Sequence, residues 1–507
     1  MKRNSFMKIL ALALVITVMA AFFVGCADKG ATPSKDYVIK ILTVSHTGEL
    51  IAADHPAIKQ LEELTGYSIE LEFILNANYE EQMNTRLASG DLPGIVVITG
   101  NSAPIVRAAQ SGAFWDLTDY FAEYEHLAAA NPDILRNVSI GGRNFGMYRE
   151  RPIGRPGITY RSDWLTDLGL GVPSNLNEMF DALVAMTTGN PQPNGGDTFG
   201  MAWTGGHMGP FHDIVVMHGA PNRWSVDNGT FVPWFEHPGF EAALEYSKRL
   251  YDAGAINADF AALPTSDWAS FIGAGLAGWH MDVSDQARRT ANNLRDNGFM
   301  TQEQLDAGDM VWVIGTVANH DGQRHVRAQP GNAGYVAIST VGAKTETDLR
   351  HHLNFLNAIN SPEGQTIVSH GAEGYNWEKV GDRIRLFSPD EIAAENSVVE
   401  GLNQFMMRNN QVPALYGVNS REDEISKVQR ENVAIVVNDP SLPLATIAPT
   451  WVSSAGALNR LIDDAVINFV IGNIDMAGFR AEVAKWYVEG GQTAIEELSA
   501  AYAEASN

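Results

Sequence analysis

The sequence predicts an α/β protein with enough core for two large domains. Three observations carry this. Strand-like and helix-like segments alternate from Val38 to Thr99. The run Gly94 to Thr99 (GIVVIT) is apolar and bounded by turn residues, as a strand buried on both faces is. The chain has 507 residues, 45% hydrophobic and 19% charged, which suits a folded chain larger than one domain.

Each element follows from local pattern. Val38 to Val44 reads as a buried strand and Asp54 to Leu64 as a helix stopped near Gly66. Ile69 to Leu75 alternates apolar with acidic residues, as a strand does. Asn78 with Glu81 forms a capping-box variant for a helix that Gly90 ends. This is how a doubly wound α/β domain begins. Further helices are expected at Ser174 to Met186, Phe240 to Ala253, Thr347 to Ile359, Pro362 to His370, Ser453 to Ile471 and Phe479 to Tyr487. Ser361-Pro362 supplies a cap and first-turn pair. No repeat of solenoid period and no low-complexity tract interrupts the pattern.

The first 25 residues read as an export signal: Lys2, Arg3 and Lys8 precede an apolar stretch from Ile9 to Val24, too short to span a membrane comfortably. The stretch ends in Phe23-Val24-Gly25-Cys26, which resembles a bacterial lipobox with Phe23 where Leu is usual. Cys26 is therefore the expected lipidation (palmitate) site. Residues 26–35 read as a flexible polar tether. As the only cysteine, Cys26 excludes an intramolecular disulfide and any thiol metal cluster. The formal net charge of -25 argues against nucleic acid or an anionic membrane surface as a partner.

Several motifs, in order, resemble one family. Tyr79-Glu80-Glu81, Met83-Asn84 and Leu87-Ala88-Ser89-Gly90-Asp91-Leu92-Pro93 precede the strand Ile95-Val96-Val97. Then come Phe114-Trp115-Asp116-Leu117-Thr118, Gly142-Arg143-Asn144-Phe145-Gly146, and Arg161-Ser162-Asp163-Trp164-Leu165 with Leu168-Gly169-Leu170 and Val172-Pro173-Ser174. Leu250-Tyr251-Asp252-Ala253-Gly254, Ser361-Pro362-Glu363-Gly364 and Gly371-Ala372-Glu373-Gly374 complete the series. Together they resemble the extracellular solute-binding proteins for carbohydrates, in the long lipoprotein branch that includes alginate-binding proteins.

The resemblance implies a two-lobe, periplasmic-binding-protein-like fold with a hinge and an interlobe cleft. It places residues 36–150 and 315–372 in the N-terminal lobe, and 151–314 and 373–507 in the C-terminal lobe. It also implies a monomer anchored to the outer side of the cell membrane, with a carbohydrate ligand and ABC permease subunits as partners. The alternatives are an exported glycoside hydrolase and a sugar-sensing lipoprotein without transport. The chain has no Gly-x-Ser-x-Gly elbow, no phosphate loop and no His-Glu-x-x-His, but glycosidases rarely show a local motif; it is the ordered resemblance that favours the binding protein over an enzyme.

Ligand chemistry is expected at strand ends, so Ser45-His46 and Asn101 are candidates; Asn101 is equally readable as the cap of the helix Ala103 to Gln110. Sugars present hydroxyl rims and apolar C–H faces, which aromatic platforms beside hydrogen-bonding groups recognise. Of six Trp in polar, turn-rich surroundings (Trp203, Trp234, Trp268, Trp279, Trp377, Trp451), Trp203 with His207 and Trp279 with Asp282 are preferred. Trp268, Tyr375 and Trp377 join the candidate set, whereas Trp115 and Trp164 are assigned to packing. Arg143, Arg149 and Arg155 are the groups that would make a cleft basic; otherwise the acidic chain favours a neutral glycan.

No cofactor is expected. The family resemblance implies a calcium-loop-like, Asp- and Asn-rich segment where this chain has Asn190, Gln192, Asn194 and Asp197; with amides at the first two, calcium is disfavoured. His207, His212 and His218 share no helical or strand face, which disfavours zinc, and His351-His352 is read as surface. Gly273-Ala274-Gly275-Leu276-Ala277-Gly278 matches a dinucleotide fingerprint but precedes a strand rather than a helix, and is rejected.

Overall fold

In the computed structural model the strands are, in chain order, β1 (Val38–Ser45), β2 (Ser68–Leu75), β3 (Ile95–Ile98), β4 (Gly146–Glu150), β5 (Pro156–Arg161), β6 (Phe199–Met201), β7 (Trp224–Asp227), β8 (Thr230–Pro233), β9 (Ala277–Val283), β10 (Val311–Ile314), β11 (Val326–Arg327), β12 (Asn332–Ile338), β13 (Trp377–Val380), β14 (Arg383–Leu386) and β15 (Val436–Val437). The structure describes residues 31–45, 50–191, 197–206, 208–263, 271, 273–387, 391–393, 399, 401–407, 412 and 419–505.

Two sheets organise two lobes. The first has the order β2-β1-β3-β12-β4, with β1 parallel to β2 and β3, and β12 antiparallel to β3 and β4. β3 is buried at all four positions, because helices such as Pro56–Thr65 and Glu346–Ile359 cover the sheet. The edge strand β2 instead carries Glu70 and Glu72, paired with Lys40 and Arg86, charges that blunt a sheet edge against further pairing. The second sheet has the order β10-β5-β9-β6. Each sheet lies in its own hydrophobic core: Ile41, Val96 and Val336 belong to one, Ile158, Trp279 and Val466 to the other. A third cluster, with Leu294, Val313 and Val428, packs the helices Gln286–Asp296 and Ser420–Asn432 against β10.

Between the lobes the chain crosses between β4 and β5, between β11 and β12, and again before the helix Ser420–Asn432. β11 pairs in parallel with β15, and the Asn222 side chain bonds the carbonyls of Ala328 (3.2 Å) and Val437 (3.1 Å). Asn432 donates to the carbonyls of Gly154 (2.9 Å) and Pro156 (2.7 Å). The fit is close: a Cβ on Gly154 would lie 2.5 Å from the Gln429 carbonyl oxygen, and one on Gly315 2.2 Å from Asn432 Oδ1.

Several local expectations change. The helix Asn76–Ser89 starts straight from β2 with Leu75 in the cap position, so Asn78 lies inside the first turn and caps nothing. The helix expected from Ser174 to Met186 runs Leu176–Thr188, capped by the Asn175 side chain. His352 is not a surface residue: its ring is buried under Gly94 and bonds the Asp348 carbonyl at 2.7 Å, while His351 stacks on Tyr37 at 4.1 Å. Leu402, Phe405 and Met407 pack into the first core, so residues 401–407 go with the first lobe rather than the second; Arg149 on β4 holds them by bonding the Gln404 carbonyl at 2.9 Å. Residues 31–35 of the expected flexible tether are docked on the body, through the Asn354 amide on the Ala31 carbonyl (2.8 Å) and the Ser68 hydroxyl on the Lys35 carbonyl (2.8 Å).

Candidate functional site

A groove opens where the C-terminal end of β3 meets the second lobe. The first-lobe wall is built by the sequence Thr99-Gly100-Asn101 that leaves β3, by Asn137, and by Asn332 and Tyr335 on β12. The opposing wall is the start of the long helix Pro449–Val470 and the turn before it, with Leu442, Thr446, Trp451 and Val452. The hollow has a volume of about 250 Å³ and meets, at Gly100 and Asn101, a second hollow of about 220 Å³ lined by Tyr79, Glu80, Met83 and Asn84; both are open to solvent. The walls touch at one end, where Thr446 donates to the Ser139 carbonyl (3.2 Å) and accepts from the Gly141 amide (3.3 Å).

The positions of Asn332 and Tyr335 depend on a β-bulge. The β12–β4 register shifts between them, and Gly334 sits at φ +90°. A Cβ there would lie 1.9 Å from the Ile98 carbonyl oxygen, so only glycine lets β12 pass so close to β3. The Asn332 side chain accepts from the Gly334 amide at 3.0 Å and fixes the turn. Extra residues in one strand re-aim side chains, and here they bring both toward the groove.

Asn101 does not cap the following helix; Ser102 holds the cap position. Asn101 donates from Nδ2 to the Val138 carbonyl at 3.2 Å, and its buried Oδ1 has no hydrogen-bond partner. The buried Tyr335 hydroxyl also has none. Trp451 is 8% exposed and edge-on to Trp224 at 5.3 Å, which in turn meets Trp486 at 6.0 Å. A large apolar face is thereby held rigidly at the groove.

The other expected site residues are placed differently. Trp203 and Trp279, preferred as stacking platforms, are each 1% exposed, and that expectation is corrected. Trp203 packs on Phe260 at 5.3 Å and Trp279 on Tyr160 at 5.6 Å, because the second core closes over both rings. Trp377 is likewise packed inward, its indole bonding the Gly371 carbonyl at 2.9 Å. Tyr375 is 49% exposed but lines neither hollow. Asp282 on β9 lies 3.9 Å from Arg289, beside the Arg155–Asp285 pair. His46, His207 and Trp268 lie outside the described residues, as do Cys26, Gln192 and Asn194. Asn190 adopts φ 42° and Asp197 is exposed. Among the described residues no group of three or more His, Cys, Asp or Glu is placed to hold a metal.

The three arginines considered for a basic cleft are all committed. Arg143 pairs with Asp116, and Arg155 with Asp285 through two bonds of 2.8 and 2.9 Å. Arg149 is buried and bonds the Ala333 carbonyl at 2.6 Å. Beyond the groove, behind Trp451, lies a buried charged cluster. His212 Nε2 lies 3.2 Å from Asp463, Arg327 bonds Asp213 at 2.7 Å, and Arg223 reaches Asn459 at 3.1 Å. Burial is the main cause lowering the His212 imidazole to about 4, partly offset by Asp463. Burial also pushes the Asp439 carboxyl up, against the bonds it accepts from Ser441.

Sequence reasoning missed Tyr335 and passed over Trp451. An isolated glycine inside a strand pattern, Gly334, is the signal for the bulge that positions Tyr335. Trp451 is one of several apolar residues on its helix, and nothing local marks it as facing the other lobe.

The family model described as bacterial extracellular solute-binding protein matches residues 47–278. Lipoprotein LipO of Bacillus subtilis (strain 168) is 30% identical over 505 residues, which cover 96% of this chain and 97% of that protein. The polygalacturonan/rhamnogalacturonan-binding protein YtcQ of the same organism is 29% identical over 456 residues, covering 89% and 88%. Among solved structures, the alginate-binding protein AlgQ2 without calcium ion superposes with a TM-score of 0.67 at 18% identity, over 94% of this chain and 99% of that one. No helix of the described residues is long and apolar enough to cross a membrane.

Proposed function

Because the chain belongs to the bacterial extracellular solute-binding proteins, we propose that it captures a carbohydrate in the interlobe groove and presents it to an ABC importer in the membrane. The observation that carries this is the groove itself: amide side chains and a phenol on one wall face a braced indole on the other. This is the pairing of hydrogen-bonders with an apolar face that a sugar ring needs. The polysaccharide-binding name of a relative alignable over most of the chain supports the same class of ligand.

Capture uses lobe closure about the three crossings, where glycines at 154 and 315 and the Asn432 side chain form the joint. Closure buries the sugar and creates a composite surface for the permeases to recognise. The first lobe then comprises residues 31–150, 329–387 and 401–407, and the second residues 151–328 and 419–505. The protein acts as a monomer, and the ligand leaves unaltered. Glycoside hydrolysis uses two carboxylates across the bound sugar, and the described lining of the groove holds Glu80 alone. Export and lipidation at Cys26 keep the protein on the outer face of the cell membrane.

A thermal-shift screen of the purified protein against oligosaccharides and peptides tests this. Ligand that binds only the folded state raises the melting midpoint. Stabilisation by glycans is expected; stabilisation by peptides and by no glycan overturns the assignment.

A further inference from the structure

We infer that the groove selects neutral, hydroxyl-rich glycan units and discriminates against ionised uronates; this inference rests on the carbohydrate function proposed above. Two unpartnered groups define the preference. Asn101 Nδ2 is committed to the Val138 carbonyl at 3.2 Å, which orients the amide and leaves the buried Oδ1 as an acceptor without a donor. Tyr335, 2% exposed, has a buried hydroxyl without a partner. Both residues line the hollow of about 250 Å³.

A sugar hydroxyl satisfies both kinds of group, since it donates to an amide oxygen and accepts from a phenol. An ionised carboxylate only accepts, so its oxygen would meet Asn101 Oδ1 lone pair to lone pair. Turning the amide over would expose Nδ2 but sets Oδ1 against the Val138 carbonyl oxygen and forfeits that bond. The charge of the walls works in the same direction. Among the described residues lining both hollows there is one acid, Glu80, and no Lys, Arg or His. Arg143, Arg149 and Arg155 are held by partners elsewhere. A uronate entering the closed groove would lose water without gaining a counter-charge, which disfavours its ionised form. The chain's formal charge of -25 repels it further on approach.

The test is calorimetric titration of the purified protein at fixed ionic strength with matched glycan pairs. Each pair is a uronate oligomer (galacturonate or alginate type) and its carboxyl-reduced, neutral counterpart, accompanied by a panel of neutral oligosaccharides. Neutral members are expected to bind at least about tenfold more tightly than any uronate. In Tyr335→Phe, which keeps the ring, affinity for the best neutral glycan is expected to fall about tenfold with unchanged near-ultraviolet circular dichroism. A uronate that binds as tightly as its neutral counterpart overturns the inference and leaves the carbohydrate function standing. Undiminished affinity in Tyr335→Phe overturns the hydroxyl pairing. Failure of every glycan to bind removes the carbohydrate function and the inference with it.

Discussion

Replacing Asn432 by Asp probes the joint between the lobes with a change of one atom type. The wild-type amide nitrogen donates to two buried carbonyls, Gly154 at 2.9 Å and Pro156 at 2.7 Å, and its oxygen faces Gly315. Asn432→Asp has no donor when ionised and sets a negative oxygen against both carbonyls. A buried acceptor left unpaired costs about 1–3 kcal/mol, so two put the loss at about 2–6 kcal/mol at pH 7. The buried Asp has a folded-state pKa raised above the unfolded value of about 3.9. The deficit is therefore full above the raised pKa and shrinks as pH falls through it, because the protonated carboxyl regains one donor. Denaturant unfolding followed by tryptophan fluorescence at pH 7 and pH 5 reads both effects. A loss below about 0.5 kcal/mol at pH 7, within the range of an ordinary surface substitution, would refute the assignment of Asn432 as the buried tie.

Other outcomes follow from the same structure. His212, lowered to about 4 by burial, stays neutral in the folded chain while its unfolded form titrates near 6.5, so it contributes stability that is lost as pH falls from about 6.5 toward 4. The contribution is up to about 3 kcal/mol, and His212→Gln should flatten the pH dependence of the melting midpoint across that window. Gly334→Ala should destabilise the first lobe by at least about 3 kcal/mol, seen as loss of soluble protein or of cooperative unfolding, because β12 would have to leave β3. Near-normal unfolding there would show that the bulge relaxes freely. Cys26→Ala should move the protein from the membrane fraction to the medium or wash; unchanged membrane association would remove Cys26 as the anchor.

The first sheet was legible because its signals are local. β3 is four apolar residues between Gly94 and Gly100, and the strand-end argument led to Asn101, which does line the groove. The helix at Pro362 begins as its Ser361 cap indicates. The aromatic side of the site was not legible. Trp203 and Trp279 stand next to glycine, threonine and histidine, surroundings that look the same whether a ring faces solvent or a second layer of helices. Only the closure of the second core over both rings decided it. Trp451 meets the groove because the long helix begins against the other lobe, a fact of tertiary arrangement with no trace in hydrophobic period. Tyr335 depended on a register shift between β12 and β4, and pairing partners lie far apart in sequence.

The docking of Ala31 on Asn354 has a geometric consequence for life at a surface. Four residues, hence five Cα steps, separate Cys26 from Ala31, at most about 18 Å of extended chain. That leash leaves the body beside Tyr37, just before β1, whereas the groove lies beyond the far end of the parallel strand β3. If Cys26 carries the lipid, the eight residues of β1 act as a standoff of about 26 Å between bilayer and mouth. The sugar port would then look outward, toward incoming polymer, while the short mooring keeps the base of the first lobe at the headgroups.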